Sequence, residues 1–454
     1  MTRLVYRALL RLAFPAVVLH AAAVALRDRS ARYLLQRFGL RLPAPAAPPL
    51  WIHCASVGEL NTALILAAAW RKASPGDAIL LTSATVSAHR LFRRKAGADM
   101  RHCYLPLDYP LLCRRFLKVV RPRCALMMEA EIWLNLFGEC GARGVPVIIV
   151  NGRLSAKTMK PARRFGGYYR QSLSSVRAVL ARSQTDRERF VALGMAPADA
   201  EVAGNLKYSA EMPAQTPDRI GRRYCLAAST HDGEETLVAR AWRRAATGLA
   251  LVVAPRHPQR CAAAARQLRR AGFDVAVHGG DGGAVANSGG SDGSNNGGGG
   301  GRSSDSRSSG SGGGANNAGT NNDDGNGNSG AGANNAEVIL FCEVGHLQAL
   351  IRHAACVFLG GSLVAKGGHN LLEAARLGTP QATGPHLDNF AQEARALQQA
   401  GGLLIANNED ELAAFFTRAA AGGCRTQAGN AAAFMRAHDD VAAHYVKRLQ
   451  ELGL

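Results

Sequence analysis

Short apolar runs alternate with helical stretches along most of the chain, and this alternation limits the possible folds more than any other feature. Runs at Leu50–Cys54, Ala78–Thr82, Cys124–Met128, Val145–Val150 and Ala178–Arg182 have strand length and continuous apolar character. Helical patterns at Leu60–Arg71, Ser87–Lys95, Trp133–Arg143 and Thr185–Leu193 fall among them. Strands that are apolar on both faces and joined by helices build parallel sheets covered on both sides. The pattern restarts at Tyr224–Ala228 and runs through Leu249–Ala254, Phe273–Val277, Val338–Phe341, Cys356–Leu359 and Pro380–Ala382. The chain therefore reads as α/β, with two doubly wound halves joined near residues 208–220. A ligand is expected in the cleft between such halves, outside the carboxyl ends of the strands.

Two stretches interrupt the alternation. Leu42–Pro49 is rich in Pro and Ala and reads as a linker. Residues 279–336 are almost entirely Gly, Asn, Ser, Asp and Ala. They offer too little apolar surface to offset the entropy of ordering, so a disordered insertion in the second half is predicted. Loop-closure cost grows only with the logarithm of length, so the flanking strands are still expected to pair.

The formal charge is +20, and residues 1–125 carry 20 Lys and Arg against 5 Asp and Glu. A basic first quarter implies an anionic partner. Aromatics are few and do not interleave with the basic residues, so no nucleic acid is expected. The N-terminus points to a membrane surface. Leu12–Leu26 is apolar apart from Pro15 and His20, with Arg3, Arg7 and Arg11 ahead of it and Arg27, Arg29 and Arg32 behind. A short apolar helix with basic flanks fits an anchor in an anionic leaflet. A cleaved signal peptide ending near Ala23-Val24-Ala25 and a buried first helix are the alternatives. Ten cysteines without Cys-x-x-Cys spacing read as small core residues in a reducing compartment, with no disulfide framework.

Several strand ends carry chemistry. Gly360-Gly361-Ser362-Leu363-Val364-Ala365-Lys366-Gly367-Gly368-His369-Asn370-Leu371-Leu372-Glu373 reads as a strand end, a glycine-rich loop and a helix start near Gly368–Asn370. Such a loop suits a phosphate-bearing, hydroxyl-rich ligand, with Lys366 adding charge; an ordinary tight turn is the alternative. Trp51–Leu60 puts Glu59 at a strand's carboxyl edge, as a general base or a helix-capping residue. Glu129 and Glu131 follow another strand and share a face if the chain stays extended. Arg256, between Pro255 and Pro258, is suited to phosphate recognition. Ser229 and Thr230 could meet the same phosphate or cap the next helix. His231, His257, His369 and His386 lack ligand spacing, so no metal site is expected.

Together these segments resemble the 3-deoxy-D-manno-octulosonic acid (Kdo) transferases. The motifs that carry the resemblance are His53–Glu59, Met128-Glu129-Ala130-Glu131-Ile132-Trp133, Asn151-Gly152-Arg153-Leu154-Ser155, Gly204-Asn205-Leu206-Lys207, Ala254-Pro255-Arg256-His257-Pro258 and Gly360–Glu373. The chain has Trp133-Leu134 and Asn370-Leu371-Leu372-Glu373 where the family usually has Trp-Pro and Asn-Pro-Leu-Glu. The resemblance implies a GT-B glycosyltransferase: two Rossmann-like domains facing across a cleft, no metal or cofactor, and an N-terminal membrane-associated helix at the cytoplasmic face of the inner membrane. It implies CMP-Kdo as donor and a lipid A precursor (lipid IVA) as acceptor, with inversion. Glu59 would be the base and Glu129 a second functional acid. Ser229, Thr230, Arg256, Lys366, Gly367, Gly368, His369, Asn370 and Glu373 would hold the donor. Ser56, Gly58, Arg153 and Lys207 would line the acceptor side. The expected domains are an anchor at 1–41, an acceptor domain at 42–210, a nucleotide-sugar domain at 211–430 and a C-terminal helix at 431–454. A catalytically silent or different-donor GT-B homologue that binds anionic lipid or nucleic acid is the alternative.

Overall fold

The computed structural model describes residues 3–97, 100–154, 158–159, 165–210, 217–279 and 336–454. It divides into two compact units, Met1–Ala214 with Ala432–Leu454, and Gln215–Ala431. The C-terminal segment thus returns to the first unit. Its helix Val441–Glu451 seats Tyr445, Val446 and Leu449 in the core beneath the first sheet. The Tyr445 hydroxyl donates to Gly204 O at 2.9 Å.

The first unit contains β1 (Leu50–Cys54), β2 (Ile79–Ser83), β3 (Arg101–Tyr104), β4 (Cys124–Met128), β5 (Val147–Gly152), β6 (Val176–Ala181) and β7 (Ala200–Val202). They form one sheet in the order β3-β2-β1-β4-β5-β6-β7. All of its pairings are parallel. The second unit contains β8 (Tyr224–Thr230), β9 (Ala250–Pro255), β10 (Val275–His278), β11 (Val338–Phe341), β12 (Cys356–Leu359), β13 (Gln381–Thr383) and β14 (Leu404–Ile405). Their order is β10-β11-β9-β8-β12-β13-β14, again parallel throughout. Both sheets are buried on both faces, which is why their central strands are uniformly apolar. Winding reverses between β1 and β4 in one unit and between β8 and β12 in the other. Those reversals open the crevices where α/β sheets take ligands.

The insertion expected at 279–336 lies outside the described residues except for its two ends. The strands on either side of it pair in register, Val275 with Val338 through His278 with Phe341. The sequence did not suggest β3. Its residues are Arg101, His102, Cys103 and Tyr104, and the His102 ring bonds Ser83 Oγ at 2.9 Å instead of presenting an apolar signature. The cysteine reading needs one correction. Cys261 and Cys342 form a disulfide across a separation of 81 residues. The other eight cysteines are free and buried, as expected for small core residues.

The N-terminal helix spans Arg3–Arg27, 25 residues, longer than the apolar run alone implied. At ~1.5 Å per residue it is about 37 Å long, enough to cross a bilayer core. Two of the basic residues ahead of the apolar run, Arg3 and Arg7, are held by the fold. Arg7 Nε donates to Asn135 Oδ1 at 2.9 Å, and Arg3 donates to Leu134 O at 3.3 Å. The acceptors at the start of helix Leu134–Gly141 draw both guanidinium groups inward. The Tyr6 hydroxyl donates to Asp108 at 2.8 Å, and Tyr109 donates to Leu10 O at 2.8 Å. Ala21 and Ala25 bury against Tyr33, Val86 and Tyr104. With that face docked, Val5, Leu12, Leu19 and Leu26 stay exposed. Their spacing of seven puts them on one side of the helix.

Candidate active site

In the first unit, the loops leaving β1 and β4 lie side by side at the winding reversal. Ser56 caps helix Val57–Ala73, its Oγ accepting the Glu59 N–H at 3.2 Å. The cap is reciprocal. Glu59 accepts the Ser56 hydroxyl at 3.0 Å and the Ala55 N–H at 2.7 Å. The cap thus fixes Glu59 at the strand edge, so the capping role and the proposed base role fall on the same residue. Burial pushes the Glu59 carboxyl up to about 7; Glu131 and Glu129 add to the rise, while the Ala55 N–H and the Ser56 hydroxyl oppose it. A carboxyl near neutrality is suited to general-base work. Gly58 and Ser56 are exposed beside it.

Glu129 has φ +54°, a left-handed conformation that costs a non-glycine residue about 1–3 kcal/mol. Its N–H still bonds Val150 O at 3.0 Å while its carbonyl accepts the Arg153 N–H at 3.4 Å, so β5 holds the chain where it turns. The turn means that Glu129 and Glu131 are not on one extended face, yet both act electrostatically on Glu59. Glu131 Oε2 accepts the Trp133 indole N–H at 3.1 Å and lies 3.8 Å from His53 Nε2. The buried Thr82 hydroxyl accepts the Trp51 indole N–H and contacts His53 Nδ1, both at 2.8 Å. His53 opens one of the motifs in the sequence but carries no role there, and nothing in the sequence marks Thr82 for one. A buried His and Thr on neighbouring strands were the available signal. Arg153 follows β5 directly. Asn151 Oδ1 accepts the Leu206 N–H at 3.1 Å, which brings the turn bearing Lys207 to the same strand end.

In the second unit, β8, β9 and β12 end together. Ser229 takes φ +55° at the register shift where β8 slips against β9. The Arg256 N–H bonds Thr230 O at 3.0 Å, and the Arg256 side chain is exposed. Thr230 is buried and donates its hydroxyl to Glu235 Oε1 at 3.1 Å, so it braces the following helix.

The glycine-rich loop differs from its expected geometry. Its N–H groups at Gly361, Ser362 and Leu363 donate to Glu234, at 2.7, 2.9 and 2.9 Å, and the His231 N–H does so at 2.9 Å. Glu234 is fully buried and organises this nest from within. Nothing local marks Glu234, since a Glu after Gly233 resembles a simple helix start. Gly367 and Gly368 have φ of +87° and +75°, which no right-handed helix continues, so the helix begins at Leu372 and not at Gly368–Asn370. Asn370 precedes it, accepting the Leu372 N–H at 3.1 Å and donating to Glu373 at 3.0 Å. Lys366 is exposed on the loop, and its carbonyl accepts from Asn389 at 3.2 Å.

His231 and His369 stack with centroids 5.1 Å apart and planes 7° apart, with the two Nε2 atoms at 2.9 Å. The His257 ring meets His231 edge-on at 5.9 Å. Among the described residues no group of three His, Cys, Asp or Glu side chains is placed to hold a metal.

Two Rossmann-like units, each an all-parallel sheet with its winding reversal, give the chain the GT-B architecture. The comparisons place it further. The profile of 3-deoxy-D-manno-octulosonic-acid transferase (kdotransferase) matches residues 32–210. A 3-deoxy-D-manno-octulosonic acid transferase of Bordetella pertussis is 32% identical over 390 residues, covering 82% of this chain and 79% of the relative. The Haemophilus influenzae transferase is 26% identical over 423 residues, covering 90% and 88%. The fold is similar to that of UDP-GlcNAc 2-epimerase from Neisseria meningitidis bound to UDP-GlcNAc: 10% identity, 89% of this chain and 100% of that one, TM-score 0.55. The chain belongs to the Kdo transferase family and is a glycosyltransferase.

Proposed function

We propose that this enzyme transfers Kdo from CMP-Kdo to a lipid A precursor, lipid IVA, with inversion and without metal or cofactor. The observation that carries this reading is Glu59, a carboxyl held at a strand edge by Ala55 and Ser56 and raised to about 7. In the reaction Glu59 takes the proton of the acceptor hydroxyl as that oxygen attacks the anomeric carbon. Glu129 and Glu131 keep the base from ionising too readily. Arg256 and Lys366 supply positive charge for the departing phosphate, the role a metal fills elsewhere. Arg153 and Lys207 serve the acceptor's phosphates. The exposed stripe of Val5, Leu12, Leu19 and Leu26 supports seating of the helix in the cytoplasmic leaflet of the inner membrane, close to a lipid acceptor.

The test is incubation of the full-length protein in anionic vesicles with CMP-Kdo and lipid IVA, with and without chelator. Mass spectrometry should show Kdo-extended lipid in both arms. No product with intact vesicle binding would favour the silent homologue. Loss of product with chelator would overturn metal independence.

A further inference from the structure

His369, expected on the donor side, stacks with His231, and neither ring takes part in the proton transfers described so far. Their Nε2 atoms stand 2.9 Å apart, close enough for one hydrogen bond, which requires a proton on one nitrogen and a lone pair on the other. Two charged rings would repel each other. The contact is built into the loop: a Cβ on Gly361 would stand 2.9 Å from His369 Nε2 and 3.4 Å from His231 Cδ2. Gly361, at φ +69°, therefore leaves the space the two rings occupy. Both rings are half-buried, while Arg256, His257 and Lys366 beside them are exposed.

The surrounding charge is positive. Burial lowers His369 to about 4, with Arg256, His231 and His257 acting in the same direction. Burial also lowers His231, with His257, Lys366 and Arg260 adding to the effect and Glu234 opposing it. Glu234, the acid among these neighbours, already accepts four backbone N–H groups. A nucleotide phosphate arriving here, a monoanion in the CMP-sugar donor and a dianion in free CMP, would oppose that balance and favour the charged ring.

We propose that His231 and His369 act as one proton-holding pair for the phosphate of the nucleotide: it takes up a proton as the nucleotide binds and yields it to the phosphate oxygen released in transfer. This rests on the donor reading given above. In the step, the bond from the anomeric carbon to the phosphate oxygen breaks, and its electron pair stays on that oxygen. The imidazolium proton moves to the same oxygen, while the acceptor's proton moves to Glu59. Both groups re-equilibrate with water, so no net proton is made or lost by the protein.

The experiment is calorimetric binding of CMP to the full-length protein at pH 7.5, in two buffers of different ionisation enthalpy. At this pH the phosphate, with a second pKa of about 6, is already a dianion. Wild type should take up about one proton per CMP, and affinity should fall close to tenfold per pH unit above neutrality. His369→Gln and His231→Gln should each abolish most of the uptake. Inorganic phosphate should show the same linkage more weakly. CMP binding with no uptake in wild type overturns the pair's role and leaves the donor site standing; uptake unchanged in both variants does the same. Absence of any CMP binding overturns the donor site and the pair together.

Discussion

Replacing Glu59 with Gln separates catalysis from capping, because the two roles predict opposite effects on stability. Gln keeps the shape and an oxygen for the Ala55 N–H, so the cap at Ser56 is largely preserved. What it removes is a carboxyl whose folded value is about 7 against an ordinary 4.5. A raised carboxyl means that the folded state holds a proton the unfolded state has released. Stability therefore falls as pH rises from about 4.5 to about 7, and the loss is complete above that window. At 1.36 kcal/mol per unit the full shift is about 3 kcal/mol, and solvent screening of this half-buried group reduces it to about 1–2 kcal/mol. Glu59→Gln should then melt about 2–6 °C higher than wild type at pH 8.5 and about the same at pH 5, where wild-type Glu59 is already largely protonated. Its transfer rate should fall by ~10²–10⁴. The wild-type rate should rise with pH through about 7 as the base ionises. Scanning calorimetry at both pH values and a radiolabelled transfer assay measure this. Full activity in the variant, or an equal loss of stability at both pH values, would refute the base and leave only a cap.

Other substitutions probe the second unit and the membrane face. Glu234→Gln puts an N–H₂ donor among four backbone donors, so it should destabilise that unit by about 3–5 kcal/mol, read as a lower melting transition. Arg256→Ala should raise the donor KM by ~10–100-fold with little change in melting temperature, since its side chain is exposed. Leu12→Asp combined with Leu19→Asp should release the protein from anionic vesicles in a flotation assay, because neither side chain packs on the fold.

How much was legible in the sequence depended on whether a residue's neighbours lie near it in the chain. The central strands were readable because burial on both faces leaves them continuously apolar, as in Val147–Gly152 and Ala250–Pro255. β3 was not, because its polar residues are satisfied by a distant strand through His102 and Ser83. Glu59 was visible since its partners, Ala55 and Ser56, are local. Glu234 was not, since three of its four donors come from more than a hundred residues away. The partners of Arg3 and Arg7 are hidden in the sequence for the same reason: Leu134 and Asn135, which hold them, are remote along the chain. The Cys261–Cys342 bond likewise depends on two elements brought together by the fold.

The nest at Gly361–Leu363 changes what this strand end can recognise. In many phosphate sites such N–H groups bind the anion themselves. Here Glu234 already accepts them, so the loop is rigid before any ligand arrives and brings no free backbone donors from those three residues. Anion recognition then falls to side chains, chiefly Arg256 and Lys366, whose charges are exposed to salt. Charge-assisted bonds of this kind are worth about 1.5–3 kcal/mol each. CMP should therefore bind ~10–100-fold more tightly than cytidine at low salt, and that margin should shrink as ionic strength rises. A backbone nest would keep most of the margin in salt, because its donors are fixed and buried. Parallel titrations of CMP and cytidine at two salt concentrations distinguish the cases. A CMP preference unaffected by salt would mean that the backbone, and not Arg256 and Lys366, reads the phosphate.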